Sequence, residues 1–186
     1  MNSTPARQAT ARTALMAVAD TAAAASRAVE EGADLIDLTG AAPAEVAAFR
    51  RSHPGVPVCA DSGLDGGSED LTRDPAIAAA SGARLICASQ AEAAQSGLPP
   101  ERLLLETSPA DLLTALAAGY PVLIDPPESP GDEAPGAGAL AVAALSGWLG
   151  AAVVRTRHPR PVRRALDLTD SVRGVRPPAR TVRGLA

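Results

Sequence analysis

Short apolar runs alternate with longer helix-patterned segments along almost the whole chain. Runs at 13–19, 34–38, 56–60, 83–88, 102–106, 121–124 and 151–156 are aliphatic and bounded by Gly, Pro or charge, as strands are. Between and after them, 22–31, 43–51, 74–81, 90–96, 109–118, 139–149 and 161–172 predict helices. Gly32, Gly82, Gly119 and Gly150 stand where helix C-caps belong. Segments 63–68 and 125–138 are rich in Gly or Pro and predict loops. A unit recurs: Gly32-Ala33-Asp34, Gly82-Ala83-Arg84 and Gly150-Ala151-Ala152 each open an apolar strand.

Strands alternating with helices predict a parallel sheet with right-handed crossovers. The fold class is α/β, a TIM-barrel-like (β/α) repeat of about seven strands. That barrel typically needs about 250 residues, so 186 residues predict an incomplete one. An open doubly wound sheet is the structural alternative. The barrel-like domain covers 1–172, and 173–186 forms an Arg/Pro-rich tail. Seven strands would leave an open edge for another chain to cover.

Composition removes several chemistries. All 17 basic residues are arginine, and the single asparagine is Asn2. A lysine nucleophile, or an asparagine from the body of the chain, is therefore unavailable. Net charge is −4, but from residue 155 onward nine arginines face only Asp167 and Asp170. No aromatic residue interleaves with them, so the basic end predicts docking on an acidic surface rather than on nucleic acid. Cys59 and Cys87 sit singly inside apolar runs and read as small buried hydrophobes. With His53 and His158 far apart, no metal-ligand spacing arises. No signal-peptide or membrane-spanning pattern is present, which predicts a cytoplasmic protein. Gly63-Leu64-Asp65-Gly66-Gly67 lacks the spacing and the lysine of a phosphate loop.

Three stretches carry a family resemblance. They are Arg27-Ala28-Val29-Glu30-Glu31-Gly32-Ala33-Asp34-Leu35-Ile36-Asp37-Leu38, Gly119-Tyr120-Pro121-Val122-Leu123-Ile124 and the closing Gly174-Val175-Arg176-Pro177-Pro178-Ala179-Arg180-Thr181-Val182-Arg183-Gly184-Leu185-Ala186. Together they resemble dihydropteroate synthase, and above all its divergent actinobacterial paralogues. The resemblance implies a TIM barrel of a folate-biosynthesis transferase family. That family joins p-aminobenzoate to a pterin pyrophosphate with magnesium, at the C-terminal ends of the strands.

Carried over residue by residue, most of that chemistry is absent here. The Asn-x-Thr-Pro-Asp-Ser-Phe loop after the first strand is reduced to Asp20-Thr21, and the Gly-Gly-Glu-Ser turn to Thr39-Gly40-Ala41. Val-Asp-Thr at the third strand end matches Ala60-Asp61-Ser62, which keeps Asp61. Asn-Asp at the fourth becomes Cys87-Ala88, and the fifth strand is missing. Asp-Pro-Gly at the sixth becomes Glu106-Thr107-Ser108, and Ser-Arg-Lys at the seventh becomes Pro126-Pro127-Glu128. Arg-x-His at the eighth becomes Arg155-Thr156-Arg157, with His158 one position late.

The resemblance thus implies Asp61 and Glu106 as pterin-binding residues and Arg155 and Arg157 as anion-binding residues, with no catalytic residue, metal or magnesium site retained. Three of them have ordinary alternatives: Asp61 and Glu106 as strand-end carboxylates, Arg155 as an ion-pair partner of Asp37 or Asp61. Losing one electrostatic donor commonly costs about 10²–10³ in rate, and several are lost here. The expectation is a degenerate synthase-like protein acting as a binding or regulatory subunit, homo- or hetero-oligomeric. Residual transferase activity through Asp61, Glu106 and Arg155 is the alternative, and a purely structural role with the arginine tail mediating assembly is a third.

Overall fold

A computed structural model describes residues 12–61, 64, 70–128 and 133–175. Eight parallel strands close on themselves: β1 (Ala14–Val18), β2 (Leu35–Asp37), β3 (Val58–Cys59), β4 (Leu71–Thr72), β5 (Arg84–Cys87), β6 (Leu103–Thr107), β7 (Val122–Ile124) and β8 (Val153–Thr156). Closure is direct, with Ala14 to Ala17 of β1 registered against Val153 to Thr156 of β8. The fold is α/β and TIM-barrel-like.

The strand missing from the sequence pattern is β4. Its two residues, Leu71–Thr72, stand between Asp70 and Arg73 after the Gly-rich stretch, without the apolar flanks that mark the equally short β3. β4 changes the expected strand-end register as well. Ala83–Ala88, read from the resemblance as the fourth strand, contains β5, so Thr72 and Arg73 end the fourth strand and Cys87-Ala88 the fifth. The barrel is complete within this chain and leaves no open edge for a partner to cover. Apart from Leu64, the segment 63–68 lies outside the described residues, as does the tail beyond 175.

Helices α1 (Ala22–Glu30), α2 (Pro43–Ser52), α3 (Pro75–Ser81), α4 (Gln90–Gln95), α5 (Leu112–Ala117), α6 (Ala137–Leu149) and α7 (Pro159–Val172) wrap the barrel. Local chemistry starts and stops them. The Thr21 hydroxyl accepts from Ala24 N–H at 3.2 Å, and Ser89 caps Glu92 N–H at 3.1 Å. Asp74 accepts from Ala76 N–H at 2.7 Å just before Pro75. Gly32 and Gly150 end their units at φ +99°, where a side chain would be strained. At Gly147 the missing side chain lets α7 lie close: an added Cβ would sit 2.8 Å from Leu166 Cδ2.

The interior explains the mouth. Each strand gives one side chain to a central apolar layer: Met16, Leu35, Cys59, Leu71, Ile86, Leu104, Leu123 and Val153. Burying each larger member stabilises by roughly 1.5–3 kcal/mol, so this layer outweighs any single surface ion pair. Strand side chains alternate with a period of two. Residues two positions further on therefore also point along the barrel axis, toward the C-terminal mouth. They are Val18, Asp37, Asp61, Arg73, Ala88, Glu106, Asp125 and Arg155. Four carboxylates and two arginines form that ring.

β4 is pinned by one side chain. Asp70 accepts from Val58 N–H at 3.0 Å and pairs with Arg50 of α2, although Asp70 is buried. At the same N-terminal end of the barrel, Asp34 accepts from Leu15 N–H at 2.8 Å and from Arg163 of α7 at 2.9 Å.

Candidate functional site

The mouth is organised around Arg155. Its Nε donates to Asp125 Oδ1 at 2.7 Å, and Nη2 donates to Asp125 Oδ2, a bidentate pair. Nη2 also reaches Glu106 Oε1 at 2.6 Å, and Nη1 reaches Asp37 Oδ2 at 3.4 Å. Glu106 accepts from Arg73 on its other oxygen. The result is a continuous lattice across β2, β4, β6, β7 and β8.

The electrostatics follow from these contacts. Burial works against an ionised Glu106, but Arg73 and Arg155 outweigh it and hold its carboxyl below the usual range. Asp125 goes the other way: burial raises it and the Glu106 charge adds to that, against the pull of Arg155. Arg155 holds its proton more firmly than a free guanidinium, because Asp125, Glu106 and Asp37 together overcome burial. Beneath them, burial and then the Asp37 charge push the Cys59 thiol up to about 12.

The residues singled out in the sequence fall at different depths. Glu106 and Arg155 meet directly at the centre. Asp61 sits at the exposed rim, its Oδ2 accepting from Gly40 N–H at 3.2 Å. Of the two carboxylates considered as partners for Arg155, Asp37 is the one it reaches. Arg157 lies outside the lattice, lining a cleft of about 220 Å³ and donating its backbone N–H to Glu128 Oε2 at 2.9 Å. Sequence reasoning passed over Arg73, Asp125 and the anchoring role of Glu128. The usable signal was the two-residue step from the apolar layer, which points straight to Arg73 and Asp125.

Magnesium, which the resemblance implies for the family, does not fit these residues. The oxygens of Asp37, Glu106 and Asp125 converge on a guanidinium. Among the described residues no group of three or more His, Cys, Asp or Glu side chains is arranged to hold a metal ion. Nor, among the described residues, is any helix long and apolar enough to cross a membrane.

Comparison with known proteins finds likeness to dihydropteroate synthases and proteins named for them. No family model matches the chain. Inactive dihydropteroate synthase 2 of Mycobacterium tuberculosis and its Mycobacterium bovis counterpart are each 49% identical to it over 49 residues. That match spans 26% of this chain and about 15% of the length of those relatives. The structure of Rv1207 from Mycobacterium tuberculosis superposes with a TM-score of 0.69 at 23% identity, covering 90% of this chain and 94% of that one. Over those 49 residues the chain is similar to the inactive synthases, and its barrel has the fold of the Rv1207 structure.

The fold comparison extends to dihydropteroate synthases themselves. The Yersinia pestis enzyme superposes with a TM-score of 0.66 at 16% identity, over 88% of this chain and 94% of that one. The Coxiella burnetii enzyme, solved with pteroic acid, gives 0.63 at 13% identity, over 89% and 95%. At these identities the likeness is one of fold. The dihydropteroate synthase-like barrel is shared, and the chemistry at its mouth must be read from this chain's own residues.

Proposed function

We propose that the chain is a degenerate dihydropteroate synthase-like barrel that catalyses no synthase reaction and serves as a binding or regulatory subunit. One observation carries this reading: Arg155 donates from Nε, Nη1 and Nη2 to carboxylates of its own chain. A step that expels pyrophosphate needs cations and donors free to meet the developing negative charge. Here the ring sets Asp37, Asp61, Glu106 and Asp125 against Arg73 and Arg155, and no lysine exists to redress the balance. The mycobacterial relatives named as inactive synthases support the same reading.

Asp61 is the residue that suits a ligand. It is exposed and can accept from the amino edge of a pterin, with Glu106 as the second contact. An assembly role draws support from an apolar strip on α6 and α7, where Leu145, Trp148, Leu168 and Val172 are all more than half exposed. A coupled synthase assay with p-aminobenzoate and a pterin pyrophosphate, run beside calorimetry with a pterin, tests the proposal. Binding without turnover is expected. Turnover by the purified protein would overturn it, and turnover lost in Asp61→Ala would establish a residual transferase in its place.

A further inference from the structure

Helix α6 breaks the pattern expected of a helix on the outside of a barrel. Such a helix buries one stripe and turns charge to solvent, as α1 does with exposed Arg27 and Glu30. The 13 residues of α6 include no charge, and its one hydroxyl, that of Ser146, is buried. Its outward positions Ala137, Ala141, Leu145 and Trp148 recur every three or four residues. Trp148 is the single tryptophan of the chain. Helix α7 does the same over half its length. Its exposed positions fall on every fourth residue, Arg160, Arg164, Leu168 and Val172, so its outer stripe is cationic at the start and apolar at the end.

The two apolar stretches share one face. Thr169 Oγ1 donates to Ala144 O at 3.4 Å and Arg173 Nη1 to Gly147 O at 2.7 Å, with Leu166 lying against the bare Cα of Gly147. Along that seam Leu145 and Trp148 stand on the α6 side, and Leu168 and Val172 on the α7 side. The charges beside them have one sign. Arg164 is exposed and has no ion pair among the described residues, and Arg160 meets Glu31 at 3.5 Å. The acids of α7 are turned inward, where Asp167 and Asp170 face Arg163. After Val175 the sequence adds Arg176, Arg180 and Arg183 and no acid. A two-fold contact between copies sets a face against itself, and no exposed residue of either helix offers Arg164 an acid. Charge therefore selects a partner that brings acids of its own.

We propose that this face docks an amphipathic helix of another protein, whose apolar stripe covers Leu145, Trp148, Leu168 and Val172 and whose acidic residues, one turn further on, meet Arg164. Two helices side by side offer a trough that takes a third through anchors at i, i+3 or i+4 and i+7. Arg164 lies one helical turn from Leu168, within reach of an acid flanking such a stripe. Apolar contact supplies the affinity, and the arginines supply the choice of partner. This partner rests on the assembly reading above, to which it adds a chemistry. It uses the outer side of the barrel and none of the mouth residues, so pterin binding and synthase turnover are decided separately from it.

Because the chain has a single tryptophan, Trp148 emission reads the face directly. Two tryptophan-free helical peptides with the same leucine stripe, one flanked by glutamates and one by lysines, are titrated into the full chain. The glutamate peptide is expected to shift Trp148 emission to the blue with saturation. It should bind about tenfold more tightly than the lysine peptide, the scale of one charge-assisted contact. Arg164→Glu should reverse that preference, and Leu168→Ser should abolish the shift with both peptides. Both positions are exposed, so neither variant threatens the fold. Equal binding of the two peptides, or no saturable shift with either, would overturn the proposal. A blue shift of the protein alone at rising concentration, with doubled mass by light scattering, would overturn it in favour of a contact between copies. A shift with phosphatidylserine vesicles that neither peptide gives would overturn it in favour of a lipid-binding face.

Discussion

Arg155 of β8 reaches across the barrel axis to Glu106 of β6, its Nη2 lying 2.6 Å from Glu106 Oε1. Because Glu106 also takes Arg73, one carboxylate joins two guanidinium groups and ties three strands together.

Replacing Arg155 by Met leaves Asp37, Glu106 and Asp125 facing one another with their shared counter-charge gone. Breaking a largely buried pair from one side costs about 3 kcal/mol. Asp125→Asn should cost under about 1 kcal/mol, since Asp125 is 43% exposed at its side chain. Urea denaturation midpoints of the two variants against wild type check the ordering.

The two acids of the lattice respond to pH in opposite senses. Glu106 is held low, so its contribution is present above the ordinary value of 4.5 and lost as pH falls through its lower folded value. Asp125 is held high, so the protonated form is the favoured one, and that benefit is lost as pH rises from 3.8 through its raised folded value. On acidification Asp125 should therefore protonate first without loss of stability, and the loss should begin only with Glu106. Stability against pH should show a shoulder in wild type that Asp125→Asn abolishes. An identical profile in the variant would contradict the assignment.

Two glycines with similar backbone separate strain from packing. Gly32→Ala forces a side chain onto φ +99° and also brings Cβ to 2.9 Å from Arg163 Cγ, so about 2 kcal/mol or more should be lost. Gly82→Ala at φ +83° meets nothing within 4 Å and should cost the backbone strain alone, about 1 kcal/mol. The difference in thermal midpoint between them reports how tightly Arg163, paired with Asp34 and Asp167, is held.

Both thiols should be silent in the folded protein. Burial, with Asp37 adding, takes Cys59 to about 12, and burial with Glu92 takes Cys87 to about 11. Ellman's reagent at pH 8 should label neither until denaturant is added. Rapid labelling under native conditions would place one of them outside the core.

Most of the barrel was legible because its elements are punctuated. Gly32, Gly82, Gly119 and Gly150 end their helical units at positive φ, each just ahead of a strand, and apolar runs between them read as strands without ambiguity. β4 was not legible: β3 is as short but sits in the apolar run 56–60, whereas Leu71-Thr72 stands between Asp70 and Arg73 with no apolar run around it. That one omission displaced the strand numbering and hid Arg73. Asp125 was passed over because it stands one residue beyond β7, among prolines that read as loop. Asp37 as a partner for Arg155 was legible, since both lie two residues beyond the apolar layer on their strands.

A hoop opens at its narrowest stave. β4 meets β3 through the single pair Cys59↔Leu71 and meets β5 through two, whereas β1 and β8 share four. Asp70 supplies from a side chain the rung that β3 lacks, holding Val58 N–H while Arg50 anchors it from α2. Amide exchange should therefore be fastest around Val58 and Leu71 and slowest along the β8–β1 seam. Removing the Asp70 carboxylate should convert a closed ring into a curved sheet that breathes at one known place.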